Sequence, residues 1–309
     1  SRNGRWRRCY SKAKTASQAK IKSLYERKSE KRRPGIAVLR CLAAFCLLLL
    51  APFTTWAGPP ALSGNFTQGG LVFGRTEPDT RIEFDGRAVR VNRSGDFIFG
   101  FGRDFPARAN LYWTPANGER QALDLSIKAR TYKTQRIDGL PPKMVTPPPF
   151  VVERIQRENQ GIAAVRQLDS PEPWYVSGFV LPAEGVVSGV YGSQRILNGK
   201  PRRPHYGLDI ANLAGTPIVA STDGHVALAE DDLYYTGGTV MLDHGHGLTS
   251  VYSHLQSVSV TVGQFVRQGE RIGTLGGTGR ATGPHLDWRL NWFNQRLDPG
   301  LLLGLMPKH

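Results

Sequence analysis

Three short stretches in the last third of this chain decide its fold: His205-Tyr206-Gly207-Leu208-Asp209, Tyr252-Ser253-His254-Leu255 and Gly283-Pro284-His285-Leu286-Asp287. The first stretch follows Pro204 and runs into the strand-like segment Leu208-Asp209-Ile210. Proline and glycine at these positions argue against a helix. The sequence therefore predicts polar side chains carried on strands and loops, unlike the helical H-E-x-x-H arrangement.

The segments around these stretches have the pattern of paired strands. Gly238-Thr239-Val240-Met241-Leu242 and Leu248-Thr249-Ser250-Val251-Tyr252 are apolar and β-branched, and the glycine turn Gly245-His246-Gly247 separates them. This pattern predicts that His254 lies at a strand end, open to a groove. Trp288 directly follows the last of the three stretches, so alternation along a strand points its ring into the core.

The polar side chains of these stretches suit a zinc site. Catalytic zinc takes three protein ligands from His nitrogen and carboxylate oxygen and keeps a fourth position open for water. His205, Asp209 and one residue near position 287 can supply three such ligands. Carboxylate oxygen binds zinc at about 2.0 to 2.2 Å, close to the distance for imidazole. One Zn²⁺ per chain is therefore predicted, and His254 and His285 are left for proton handling.

The order and spacing of these motifs closely resemble the lysostaphin-type, LytM-like zinc endopeptidases, which cut peptide bridges in bacterial peptidoglycan. The resemblance runs from about Gly185 to Pro299. It implies hydrolysis of peptide crosslinks by a metal-activated water. It also includes the family's turns and strand starts: Val190-Tyr191-Gly192, Gly215-Thr216-Pro217-Ile218, Asp223-Gly224 and Asp243-His244-Gly245. The strand-turn pattern from Val260 to Leu275 favours a small β-barrel-sandwich architecture.

The resemblance implies that His205, Asp209 and the residue at position 287 hold the metal, while His254 and His285 act in the reaction. The family usually ends its last motif with H-x-H, whereas this chain has His285-Leu286-Asp287. Either Asp287 replaces the usual imidazole, or the site is lost and the domain binds the cell wall or activates a murein amidase. The other polar positions are intact, which favours the zinc endopeptidase. A peptidase of secreted proteins is a third possibility, because groove loops set substrate preference.

The other histidines next to glycine turns, His225, His244 and His246, are expected to be structural or exposed. Tyr206 and Tyr252 are candidates for a substrate groove, although aromatic residues on strands more often belong to the core.

Residues 1–57 have the features of a signal peptide with a basic leader. Residues 1–40 hold fourteen Lys or Arg and two acidic residues, and an uncharged run from Cys41 to Ala57 follows. The apolar core from Leu42 to Ala51 is too short for an ordinary membrane span of about 20 residues, and Thr55-Trp56-Ala57 offers a small-x-small cleavage site. A periplasmic or secreted protein without a stable membrane span is predicted, with an uncleaved anchor as the alternative.

Removal of this leader would lower the net charge of the chain and remove its cysteines. The chain has a net charge of +15, of which the leader carries +12, so only +3 remains. Nucleic acid is therefore not expected as a partner, and peptidoglycan peptides are. Cys9, Cys41 and Cys46 all lie in residues 1–57. The mature chain is then free of cysteine, which suits an oxidising compartment without requiring a disulfide.

Two further regions precede the motifs. Residues 60–130 predict a small all-β, sandwich-like domain, in which Asp85-Gly86, Ser94-Gly95 and Asn117-Gly118 favour tight hairpins. This region holds no cluster of His, Cys or paired carboxylates, so a binding, spacing or autoinhibitory role is expected.

Residues 131–175 predict a proline-rich linker with one amphipathic helix, because Pro147-Pro148-Pro149 is followed by apolar residues at helical spacing from Val151 to Leu168. This helix is expected to pack on a neighbouring domain. Residues 176–309 would then form the peptidase domain. The predicted fold is mainly β: a C-terminal β-barrel-sandwich peptidase domain, preceded by the small all-β domain and a short helical linker.

Overall fold

The computed structural model describes residues 58–139 and 146–303, all within one structural unit that spans Trp56–His309. The predicted signal peptide, residues 1–57, lies outside the described residues. Most regular structure is β-strand, which confirms the predicted fold class. Within the described ranges, no helix has both the length and the apolar character needed to cross a membrane.

The N-terminal part is a sandwich of two antiparallel sheets, as predicted. Its strands are β1 Ala61–Gly64, β2 Leu71–Arg75, β3 Arg81–Phe84, β4 Arg87–Val89, β5 Asp96–Gly100, β6 Arg108–Thr114 and β7 Gln121–Ser126. One sheet has the order β1-β2-β5 and the other β4-β3-β6-β7. Aromatic rings fill the space between them, with Phe84 and Phe99 4.4 Å apart between ring centroids. Burial of these large side chains is the main stabilising contribution to the sandwich.

Of the predicted turns, Asp85-Gly86 forms the two-residue hairpin between β3 and β4, with φ of 51° and 70°. Positive φ at both positions is what such a hairpin requires. The prediction of a hairpin at Ser94-Gly95 was wrong. There β4 pairs with β3 while β5 pairs with β2, so the chain crosses from one sheet to the other. Asn117-Gly118 lies in a longer loop between the paired strands β6 and β7.

The linker contributes a strand, β8 Thr134–Ile137, and the helix α1 Val152–Val165, preceded by a 3₁₀ turn over Pro149–Val151. The predicted amphipathic helix is therefore present. Val165, at its C-terminal end, packs against Met241 and Val251 of the peptidase region. The C-terminal turn of α1 thus packs on the sheet, where Ile162 lies partly buried beside Val165.

Twelve strands form the C-terminal region: β9 Val186–Gly189, β10 Gln194–Leu197, β11 Lys200–Pro201, β12 Leu208–Ala211, β13 Pro217–Val219, β14 Gly224–Leu233, β15 Gly237–Asp243, β16 Leu248–Val258, β17 Phe265–Val266, β18 Arg271–Leu275, β19 His285–Trp292 and β20 Gln295–Leu297. The main sheet has the order β17-β14-β15-β16-β19-β12-β9, with β13, β18 and β20 attached beside it. β10 and β11 form a small separate sheet in which β8 pairs in parallel with β10.

Every second side chain of strand β19 points to the same face, and this face contributes to two hydrophobic cores. Leu286 and Trp288, both fully buried, belong to the core of the main sheet. Leu290 and Trp292 belong instead to the core of the N-terminal sandwich, where the Trp292 ring lies 6.1 Å from Phe84. The sandwich and the peptidase region therefore share apolar packing, and the opposite face of β19 is free for polar side chains.

Trp292→Ala should test this shared core. Removing a buried tryptophan costs about 3 to 5 kcal/mol, because the transfer free energy is lost and a cavity remains. We expect one denaturant transition for the full chain, shifted to lower denaturant by that amount, when far-UV circular dichroism and tryptophan fluorescence are compared. Phe150→Ala, at a ring that is 84% exposed, should change the unfolding free energy by less than about 0.5 kcal/mol. A change under about 1 kcal/mol for Trp292→Ala would contradict the shared core.

Candidate metal centre

The structure brings together the three residues predicted as metal ligands. His205, Asp209 and Asp287 each offer one ligand atom, and these atoms lie within 4.8 Å of one another. Asp209 on β12 and Asp287 on β19 are register partners, so both carboxylates project from the same face at the same level of the sheet. His205 lies in the loop that leads into β12. All three side chains are buried.

The polar atoms of this group fit a bound cation. His205 Nε2 lies 3.0 Å from Asp209 Oδ1, yet the contact lacks hydrogen-bond geometry, and neither atom has a hydrogen-bond partner among the described residues. Ser253 Oγ, opposite Asp287 in the sheet register, also lacks one. A buried polar atom left unsatisfied costs about 1 to 3 kcal/mol. One imidazole and two carboxylates form an ordinary donor set for Zn²⁺, so the residues present fit this ion.

Two glycines make room for the carboxylates. A Cβ atom at Gly207 would lie 2.2 Å from Asp287 Oδ1, and a Cβ atom at Gly189 would lie 2.2 Å from Asp209 Oδ2. Both distances are far shorter than a van der Waals contact, so any side chain there would displace a carboxylate. The glycine inside the first sequence motif is therefore a requirement of the site and not only of the turn.

Each carboxylate is also held by an arginine. Arg289 forms a two-pronged ion pair with Asp287, with Nε 2.9 Å from Oδ1 and Nη2 2.5 Å from Oδ2. Burial acts to raise the pKa of Asp287, but the charges of Arg289 and His205 outweigh it, and the pKa is lowered. Arg195 on β10 contacts Asp209 Oδ2 at 3.0 Å. Each carboxylate is thus paired with one guanidinium group.

Neither arginine was predicted from the sequence. Arg289 follows Asp287 by two residues on the same strand, so alternation places both side chains on one face. This signal was present and could have been used. Arg195 belongs to a different sheet from Asp209, and nothing in the local sequence links the two residues.

His254 lies inside β16, and the prediction of an exposed strand end was wrong. The ladder shifts here, because Tyr252 pairs with Val240 whereas Leu255 pairs with Gly238, which leaves one extra residue on β16. Such a β-bulge re-aims a side chain without ending the strand. His254 accordingly has a φ of 67° and is only 6% exposed.

The rings of His254 and His285 lie side by side, with centroids 4.7 Å apart. His254 Nδ1 lies 2.8 Å from the Thr278 carbonyl, and His285 Nδ1 lies 2.8 Å from the Gly283 carbonyl. A carbonyl only accepts, so each Nδ1 carries a proton and donates it, which leaves each neutral ring with Nε2 as an acceptor. Burial lowers the pKa of His254 to about 4, which keeps its ring neutral near pH 7.

The other histidines have structural partners outside this group. His244 contacts the Asp223 carbonyl through Nδ1 and Ser250 Oγ through Nε2, while His246 contacts Tyr175 and a backbone carbonyl. His225 lies against the Gly263 carbonyl. Tyr252 and Trp288 are fully buried in the core, as predicted for Trp288.

Comparison with known proteins agrees with this arrangement. Over 87 residues, 28% of this chain, the sequence is 44% identical to the peptidoglycan DD-endopeptidase ShyA of Vibrio cholerae. Over 97 residues, 31% of the chain, it is 41% identical to the DD-carboxypeptidase/endopeptidase Mpg of Neisseria meningitidis. These matches span 20% and 22% of the two relatives, so the chain covers about a fifth of their length.

The likeness to one solved structure extends over more of the chain. A crystal structure from Pseudomonas aeruginosa, assigned to peptidase M23, matches with a TM-score of 0.61 and 29% identity, covering 77% of this chain and 95% of that one. The model of peptidase family M23 matches residues 203–299, which include both carboxylates and all three histidines of the site. Residues 203–299 therefore match peptidase family M23, which agrees with the family resemblance of the three motifs.

Proposed function

We propose that this protein is a zinc-dependent endopeptidase that hydrolyses peptide crosslinks of peptidoglycan. The observation that carries the proposal is the pair of buried, unsatisfied atoms His205 Nε2 and Asp209 Oδ1, which lie beside the Asp287 carboxylate. The peptidoglycan substrate rests on the names of the relatives, DD-endopeptidases that match this chain over the same segment.

In this proposal His205, Asp209 and Asp287 hold the metal. Bound zinc lowers the pKa of a water molecule and polarises the scissile carbonyl. The Nε2 atoms of His254 and His285, both free to accept, take a proton from water and return it to the leaving amine. Arg289 keeps Asp287 ionised and oriented, and Arg195 orients Asp209. The β-bulge turns the His254 ring toward His285.

A second candidate is a catalytically inactive relative that binds the wall or activates a murein amidase. The arginine contacts favour it, because both Asp287 oxygens already accept hydrogen bonds from Arg289. Two guanidinium groups then supply positive charge that a metal would otherwise bring. The unsatisfied His205 and Asp209 atoms are not explained by this alternative.

Asp287→Ala should separate the two candidates through zinc affinity. Loss of a partner that only orients a ligand costs about 10- to 100-fold, so loss of a ligand should cost at least about 100-fold. Gly207→Ala should act in the same direction by displacing Asp287 Oδ1. Zinc per chain is measured by mass spectrometry of the metal, and activity by chelator-sensitive solubilisation of peptidoglycan. If the wild-type protein holds no zinc after equilibration with the metal, the proposed zinc endopeptidase is wrong.

Arg289→Gln should change the zinc affinity in the opposite direction. A guanidinium group beside a bound Zn²⁺ would be repelled by several kcal/mol at an effective dielectric constant of about 20, which exceeds the effect of orienting one carboxylate. Glutamine keeps an N–H donor for Asp287 but removes the charge. We expect zinc affinity to rise about tenfold or more. In the inactive alternative this variant gains no zinc and loses stability, because a buried carboxylate is left unpaired.

His254→Ala should leave zinc content unchanged and lower turnover by about 100- to 10,000-fold, the range for a positioned acid or base. His225→Ala, at a histidine outside the site, is the matched control and should retain wild-type kinetics. Loss of zinc from His254→Ala would show that the assignment of ligands is wrong.

The proposed place of action is the periplasm or the cell exterior, after cleavage near Gly58. The basic leader and apolar run within residues 1–57 motivate this location. Expression of a longer precursor in a bacterium should yield exported protein whose N-terminal sequence begins near Gly58. Retention of the uncleaved chain in the cytoplasm would contradict it.

A further inference from the structure

Three arginines, Arg166, Arg203 and Arg296, lie beside the metal centre, and we call them the arginine strip. Arg296 on β20 is the register partner of Asn291 on β19 and donates a hydrogen bond to its side-chain oxygen. Asn291 projects from the same face of β19 as Asp287, four residues away. At about 3.3 Å per residue, Arg296 lies about 13 Å along the strand from the third ligand.

The other two members approach from different elements. Val165, the last residue of α1, packs against Val251, which pairs with Arg289 on β19. Arg166 follows Val165 and therefore lies near the Arg289 side of the site. Arg203 is exposed and precedes the ligand His205 by two residues. Strands, helix and loop thus converge to present positive charge on one side of the centre.

The charges of the strip are unmatched. Among the described residues, the carboxylates near the site pair with Arg195 and Arg289, and no carboxylate forms an ion pair with any member of the strip. Arg166 Nε is buried without a hydrogen-bond partner in that part of the chain. Burial, followed by the charges of neighbouring arginines, lowers the pKa of Arg166, and it lowers that of Arg296 to about 9. An anion placed there would relieve this repulsion.

We propose that the arginine strip binds a free carboxylate of the peptide substrate, within about four residues of the bond that is cleaved. The proposal rests on the function proposed above and names its substrate class: acidic peptides, in preference to amidated ones. A guanidinium group forms paired hydrogen bonds with a carboxylate, which gives both affinity and orientation. The strip shares the sheet face of the metal ligands, so an extended peptide reaching the centre passes over it.

The test compares two soluble peptidoglycan fragments from a muramidase digest, one with free carboxylates and one with these converted to carboxamides. For the full-length wild-type protein, amidation should raise KM about tenfold, as loss of a charge-assisted hydrogen bond would. Arg166→Gln, Arg203→Gln and Arg296→Gln should each raise KM for the acidic fragment and reduce the discrimination. Zinc content should remain at the wild-type level. Arg271→Gln, at an exposed arginine on β18, is the matched control and should change neither.

The outcomes separate the two proposals. Cleavage of both fragments with equal KM would overturn the proposed carboxylate binding by the arginine strip but would support the proposed endopeptidase activity. If neither fragment is cleaved, the proposed endopeptidase activity is wrong, and the binding of labelled fragments is measured by fluorescence anisotropy. Tighter binding of the acidic fragment, lost in the Gln variants, supports carboxylate binding by the arginine strip. Equal binding of the two fragments refutes it. Stronger binding of inorganic phosphate than of the acidic fragment, through the same arginines, would assign the strip to a phosphate ligand and also overturn the proposal.

Discussion

The alternation of side chains along β19 is the constraint on which the rest of the structure depends. One face of this strand carries Leu286 and Trp288 into one core and Leu290 and Trp292 into another. The other face carries His285, Asp287 and Arg289 to the metal centre. A shift of one residue in register would bury the charges and expose the indoles. Packing of this face in the two cores therefore fixes the depth and direction of the polar groups on the other face.

In the metal centre, arginine side chains compensate the buried carboxylates. Two carboxylates lie in a buried site, and each is paired with an arginine. Without Arg289, burial would favour a protonated Asp287, which is a poor metal ligand. With it, Asp287 stays ionised but shares its oxygens with a guanidinium group. The chain thus accommodates an acid at position 287 at the cost of added positive charge near the ion, and Arg289 is the residue that balances these effects.

Much of this could be predicted from sequence because it follows local rules. The ligand group, the buried Trp288 and the helix α1 follow from motif spacing, strand alternation and apolar periodicity. His254 was misjudged, because a bulge depends on how β15 and β16 align and not on the sequence of either strand. Ser94-Gly95 has the composition of a hairpin, yet the chain changes sheets there. The Arg195 contact joins two sheets and left no local signal.

The shared core bears on how this peptidase region can be handled as an isolated fragment. A fragment limited to residues 203–299 would lack β9 and β10, and with them Arg195. It would also present Leu248, Leu290 and Trp292 to water, since these pack against the sandwich. Exposed apolar patches of this kind promote aggregation. The N-terminal sandwich therefore covers an apolar patch that the isolated segment would leave exposed.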